Sequence, residues 1–243
     1  VLPFRAGDVM RVFAFSGWLG CEAVRIAATM LVERLLDLFC LTLLCGLVLL
    51  FLATEISSSA VAFMGFGAVG LLLGATGIGL LLLFPKVFQN FTTWLINALG
   101  GWMPGRADRL SGLADRFFST LVAQSEGKRM LSLLIWSAVS WALEGGVFLA
   151  VAKAIPALSE PLGAWLAFPV ATISTMLPST PGYAGTFHFF AMQSVEIFGN
   201  DTAAATAFAV IVHLILWLTA TLAGSISVLI WWFAKKYQNI PTL

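Results

Sequence analysis

Four stretches of this chain are apolar over about the length a helix needs to cross a membrane. A helix rises about 1.5 Å per residue, so about 20 apolar residues cover the hydrocarbon core. Leu38–Thr54 and Ala60–Phe84 are the clearest, divided by the short Glu55–Ser59 turn. Met130–Lys153 is the third, with one carboxylate, Glu144, near its middle. Thr202–Ala234 is the fourth, is longer than a crossing needs, and stops at Lys235-Lys236. The first stretch reads back as helix to about Glu22, since no Pro or Gly run interrupts it.

Composition leaves little room for anything but a membrane protein. Apolar residues make up 60% of the 243 and charged residues 10%, against about 25% charged in soluble domains. Mean hydropathy is +0.96. The expected fold class is all-α, a polytopic integral membrane protein. A soluble enzyme and a nucleic-acid binder are excluded, the latter because a net charge of +1 offers no basic field. Cys21, Cys40 and Cys45 make no metal spacing and read as small buried hydrophobes. No metal or cofactor is expected. The start at Val1 reads as that of a fragment.

The Glu160–Asp201 region differs. Pro161–Leu177 is apolar but carries Pro169, and Leu177-Pro178-Ser179-Thr180-Pro181-Gly182-Tyr183-Ala184-Gly185 cannot continue a helix. Thr186–Phe198 is apolar again. Two short limbs around such a break predict a re-entrant hairpin over about 161–198, tolerated at membrane depth where protein buries it or a cavity adjoins it. Residues 85–129 hold Lys86, Arg106, Arg109, Arg116, Lys128 and Arg129 among Phe88, Phe91, Trp94, Leu113 and Phe117. They predict two amphipathic helices on the membrane surface.

Basic residues place 85–129 and the C-terminus in the cytoplasm, with the prokaryotic inner membrane as the expected location. Leu2-Pro3-Phe4-Arg5-Ala6-Gly7 and Leu177-Pro178-Ser179-Thr180-Pro181-Gly182 share L-P-x-x-x-G, and Ala27-Ala28-Thr29 answers Ala204-Ala205-Thr206. With opposite starting sides, this predicts an inverted repeat. One copy covers 1–54, lacking its first limb. The other covers 130–243, and the 60–84 helix lies between.

Glu22, Arg25, Thr29, Glu33 and Asp37 fall on one helix face, with Arg34 beside it. Ionisable groups at membrane depth usually face a cavity or pair with one another. The bases here are all Arg (Arg5, Arg11, Arg25, Arg34), whose planar fork suits a phosphodiester. Glu144 is expected to meet Arg25, Arg34 or a His. His213, Trp217, Thr221 and Ser225 form a second stripe, and His188 follows the Pro/Gly break. Each histidine reads equally as a structural hydrogen-bonding group or as a proton-responsive one. Gly65-Phe66-Gly67-Ala68-Val69-Gly70 fits G-x-G-x-x-G only in letters. Inside an apolar span it predicts a small-residue helix-packing surface.

Two stretches resemble the transmembrane, flippase-type domain of lysylphosphatidylglycerol synthases. One is Arg5-Ala6-Gly7-Asp8-x-x-Arg11 with Glu33-Arg34-x-x-Asp37, similar to R-x-G-E-x-x-R and E-R-x-x-D. The other is Pro178 to His188, similar to P-x-x-P-G-G-x-G-x-x-E, with Tyr183 replacing a Gly and His188 the Glu. The likeness extends over nearly the whole chain and implies a stand-alone member without the aminoacyl-transferase domain. It implies movement of a polar-headed lipid between leaflets, without bond breaking.

The expected site is Arg5, Arg11, Arg25, Glu33, Arg34, Asp37, Glu144, Pro178, Pro181, Gly182, His188 and His213, with no catalytic residue. Expected partners are lipids with an anionic or phosphate-bearing headgroup, with a lipid-modifying enzyme and a homodimer as further ones to test. Two other functions stay open. One is a membrane enzyme acting on a lipid phosphate through His188 or His213. The other is a scaffold for lipid- or glycan-modifying enzymes.

Overall fold

A computed structural model describes residues 6–20, 22–55, 60–100, 107–125, 128–176 and 179–238. Among them no strand occurs. The helices are α1 (Ala6–Leu19), α2 (Ala23–Glu55), α3 (Ala60–Leu83), α4 (Pro85–Gly100), α5 (Ala107–Ser125), α6 (Lys128–Ala154), α7 (Gly163–Ser174), α8 (Thr186–Glu196) and α9 (Thr202–Gln238). A single 3-10 turn at Pro181–Tyr183 lies between α7 and α8. Four helices hold stretches long and apolar enough to cross a membrane: Ala23–Leu52, Gly65–Leu83, Lys128–Ala154 and Thr202–Phe233.

Helix α2 is the spine, and α3 packs back along it. The pair comes close where α2 has Gly46, at which a Cβ would stand 2.9 Å from Leu72 Cγ and 3.2 Å from the Ala68 carbonyl oxygen. On the α3 side the buried described residues are Ala68, Ala75 and Leu82. Gly65, Gly67 and Gly70 have open space where a side chain would be. The packing surface expected of those glycines is therefore carried by the alanines and by Gly46. A helix presents one face to its neighbour, and these three glycines lie off that face. Cys45 is buried and Cys40 half-buried, while Cys21 lies outside the described residues.

Helix α5 closes one end of the bundle. Its Phe118 and Leu121 are buried with Val32 and Leu36 of α2, Leu82 of α3 and Met130 of α6. One face of this amphipathic helix is thus taken by protein. Helix α4 buries little, and Val87, Phe91 and Trp94 are exposed.

The second core joins α6, α7, α8 and α9 to Leu41 of α2. Phe148 of α6 is fully buried at its centre. Its ring lies 5.4 Å from that of Phe168 (α7), 6.1 Å from Phe187 (α8) and 6.2 Å from Phe208 (α9). Helices α7 and α8 form an antiparallel pair: Gly163 opens α7 against Val195 and Phe198 at the far end of α8. The buried Asn200 clasps the pair's open end. Its Oδ1 accepts from the Glu160 N–H at 2.9 Å, and its Nδ2 donates to the Glu160 and Val195 carbonyls at 3.0 Å each.

Two units of the chain are built alike. Each is a short helix, a glycine with positive φ and a long helix: α1, Gly20 (φ 62), α2; and α8, Gly199 (φ 84), α9. A left-handed glycine is a common way to end a helix, because the absent Cβ removes the clash.

Candidate functional site

The polar face of α2 is met first by α1. Arg11 Nη1 donates to Glu33 Oε2 at 3.3 Å, and the guanidinium lies 5.4 Å from the centroid of Phe15. With Arg25 and Thr29 these residues line a cavity of about 220 Å³. Arg34 Nη1 donates to Asp37 Oδ2 at 3.1 Å, one turn further along the same helix.

Glu33 is also a wall of the next cavity, of about 320 Å³, between α2 and α6. Asp37, Trp136, Ser137, Ser140, Trp141 and Glu144 complete its polar and aromatic lining. Glu144 in turn is shared with a third cavity, of about 870 Å³. There α6 meets the end of α7 (Thr172, Thr175), the Pro/Gly turn (Gly182, Tyr183), the start of α8 (Phe187) and α9 (His213, Trp217, Thr221, Ser225). Three cavities therefore lie in a series from α1 to α9, with Glu33 in the walls of the first two and Glu144 in the walls of the last two. No Lys or Arg is among the described residues lining this third cavity.

Glu144 lies beside the Thr172 hydroxyl, with Asp37 within electrostatic reach. Arg25 and Arg34, expected as its partners, stand elsewhere: Arg25 lines the α1–α2 cavity, and Arg34 pairs with Asp37. Of the partners expected from the sequence, it is His213 that shares the large cavity with Glu144. The polar stripe on α2 turns Asp37 and Glu33 toward α6, so carboxylate faces carboxylate across that wall.

The two histidines, treated separately in the sequence, touch. His188 Nε2 and His213 Nδ1 are 2.8 Å apart, and the His213 ring stacks on Phe187 at 4.9 Å. His188 Nδ1 also accepts the Gly185 N–H at 3.3 Å. His188 is the third residue of α8, and Gly185 precedes that helix. An acceptor at this position reaching back to the cap N–H is half of a capping box, the usual work of Glu or Gln. His188 thus does locally what the Glu of the similar motif is chemically suited to do, and it keeps a second nitrogen free to bridge to α9.

The turn itself is strained at one residue. Tyr183 has φ 59, beside Gly182 at φ 68. Non-glycine residues rarely hold this conformation, which costs about 1–2 kcal/mol. Tyr183 stands where the similar motif has its second Gly, and its ring packs on the second core and lines the large cavity. Pro181 opens the 3-10 turn and is exposed. Arg5 and Pro178 lie outside the described residues.

A sequence model of the lysylphosphatidylglycerol synthase TM region matches residues 1–224. The chain belongs to that family. It is an integral membrane protein of the lysylphosphatidylglycerol synthase type, with four helices long enough to span. No curated protein and no solved structure matches the chain.

The sequence reading missed Asn200, Thr172, Thr175, Phe187 and the site role of Tyr183. A signal existed for the histidine pair. His188 and His213 are 25 apart about a turn at Gly199-Asn200-Asp201, and an antiparallel helix pair brings such positions level. Arg11 and Glu33 are 22 apart about Gly20 in the same way.

Proposed function

We propose that the chain is a flippase-like transporter that carries a polar-headed phospholipid between leaflets. The observation that carries this reading is the row of three cavities that share Glu33 and Glu144 as wall residues. Ionisable side chains on membrane helices are costly and are kept where they face one another or a cavity. Here they stand in the walls of successive cavities, which suits a headgroup that must shed water in stages. The lipid tails would remain outside, against the exposed apolar faces of α6 and α9.

Helices α7 and α8 serve as a re-entrant hairpin in this reading. Their 12 and 11 residues reach about 18 Å at 1.5 Å per residue, well short of a bilayer core of about 30 Å. Asn200 holds both outer ends together, so the chain enters and leaves on one side. The matching units α1–α2 and α8–α9 support an inverted repeat, each with one polar contact across its turn: Arg11–Glu33 and His188–His213. Residues 85–129 then face the cytoplasm. Arg11 and Arg25 receive the phosphate at the α1–α2 mouth, through charge-assisted hydrogen bonds.

The test is leaflet exchange of fluorescent phosphatidylglycerol and phosphatidylethanolamine in proteoliposomes, compared with Glu33→Gln and Glu144→Gln. Exchange by the wild type that falls at least tenfold in both variants supports the reading. Exchange unaffected by either variant, or none in the wild type, rejects it.

A second reading is favoured by one observation: Glu144 and His213, an acid and a base, line the same cavity. A lipid-phosphate enzyme would use such a pair for proton transfer. It predicts that the purified protein changes lipid composition, which mass spectrometry of the same vesicles would show, whereas a transporter changes sidedness alone.

A further inference from the structure

The histidine pair has a direction. A backbone N–H can only donate, so His188 Nδ1, which receives the Gly185 N–H, carries a lone pair. The neutral His188 ring then holds its proton on Nε2. That proton is donated across the 2.8 Å contact to His213 Nδ1. His213 Nδ1 must therefore be a lone pair as well, which leaves the His213 proton on Nε2. Among the described residues no hydrogen bond engages this Nε2, and His213 lines the large cavity. Phe187, stacked on the ring, restrains its plane.

Two hydroxyls of the same wall are turned back on backbone carbonyls. Thr172 donates its hydroxyl proton to the Phe168 carbonyl, and Thr175 donates to the Thr172 carbonyl. Trp217, four residues after His213 and so on the same face of α9, is the other N–H donor of the wall.

We propose that His188 is a positioning residue: it relays the polarity of the Gly185 N–H across to α9 and fixes His213 as a neutral Nε2–H donor toward the large cavity. The ligand chemistry this selects is an acceptor oxygen, phosphoryl or ester, bound without a cation. That the oxygen belongs to a lipid headgroup rests on the transport reading above. The consequence is a row of cavities with two kinds of phosphate contact, arginine in the α1–α2 cavity and neutral N–H donors at the α9 wall of the large one. A neutral contact holds the headgroup more weakly than a charged one, which suits release.

The chain has two histidines, so its histidine ring-nitrogen spectrum is small. The full chain, carrying no histidine tag, is labelled with ring-¹⁵N histidine and studied in phosphatidylcholine nanodiscs. The expected result is a through-hydrogen-bond ¹⁵N–¹⁵N coupling, with His213 Nδ1 unprotonated and Nε2 protonated. A protonated His213 Nδ1, or no coupling, overturns the relay. In parallel, lipid exchange is measured in His188→Gln and His188→Leu. Gln keeps an acceptor for Gly185 and a donor for His213 and should hold exchange within about twofold, whereas Leu keeps neither and should lose about tenfold, the scale of one hydrogen bond to a charged group. Gln as impaired as Leu, or Leu as active as the wild type, overturns the positioning role. If the wild type exchanges no lipid, the transport reading falls together with the headgroup oxygen as acceptor. The spectrum still decides the relay by itself.

Discussion

At the scale of single residues, two positions hold the Pro/Gly hairpin in shape by unlike means. Asn200 uses both ends of its amide, Oδ1 as acceptor and Nδ2 as donor. Asn200→Asp would turn the donor into a lone pair facing two carbonyls. The expected loss is about 1–3 kcal/mol, the range for leaving a buried polar group unsatisfied, read as a lowered thermal midpoint in detergent. Tyr183 works the other way, holding a left-handed backbone for the sake of its ring. Tyr183→Gly should release about 1–2 kcal/mol of strain while removing a similar amount of apolar burial. We expect a midpoint within a few degrees of wild type but lipid exchange reduced several-fold. Exchange at the wild-type rate would show that the ring is packing only.

At the scale of elements, the close approaches decide how much a change is felt. Gly163 opens α7 so near α8 that an added Cβ would stand 3.0 Å from Val195 Cα, which is backbone and cannot swing away. Gly163→Val should therefore cost about 1–3 kcal/mol through overpacking. Gly67→Ala, with open space around it, should stabilise α3 by about 0.5–1 kcal/mol through helix propensity. Thermal unfolding of the pair should move in opposite directions. Phe148, whose ring meets α7, α8 and α9 together, is the largest single tie, and Phe148→Ala should cost about 3–5 kcal/mol. Most of these elements were legible in the sequence. The apolar run from Glu22 became α2, and the two Pro/Gly-bounded limbs became α7 and α8. The facing of each helix was less legible. The Gly65–Gly70 stretch reads as a packing surface, yet Ala68 alone of that run is buried against α2. Apolar on every side, α3 carries no periodic signal of which side meets protein and which meets lipid.

At the scale of the whole molecule, the proposed transport function predicts a topology that labelling tests directly. With Cys21, Cys40 and Cys45 replaced by alanine, single cysteines at Ser119, Ser159 and Thr202 would be labelled by a membrane-impermeant maleimide. All three positions are exposed. The expected result is Ser159→Cys and Thr202→Cys on one side and Ser119→Cys on the other. Ser159→Cys and Thr202→Cys on opposite sides would mean that the α7–α8 pair does not re-enter, and would remove the inverted repeat with it.

Local chemistry by itself determined that this chain belongs in a membrane and is helical. Apolar length answers to bilayer thickness, and Pro and Gly interrupt helices wherever they fall. The residues of the α2 stripe were likewise readable, because four-residue spacing puts them on one face without help from any other part of the chain. Only the tertiary structure decided which faces meet. It put Glu144 and His213 in the walls of one cavity with no arginine, left Arg11 to Glu33, and brought His188 and His213 to 2.8 Å. Those outcomes depend on the register of α8 against α9 and of α2 against α6. That register is set by shape at Phe148, Gly163 and Asn200, where distant side chains fit only one way.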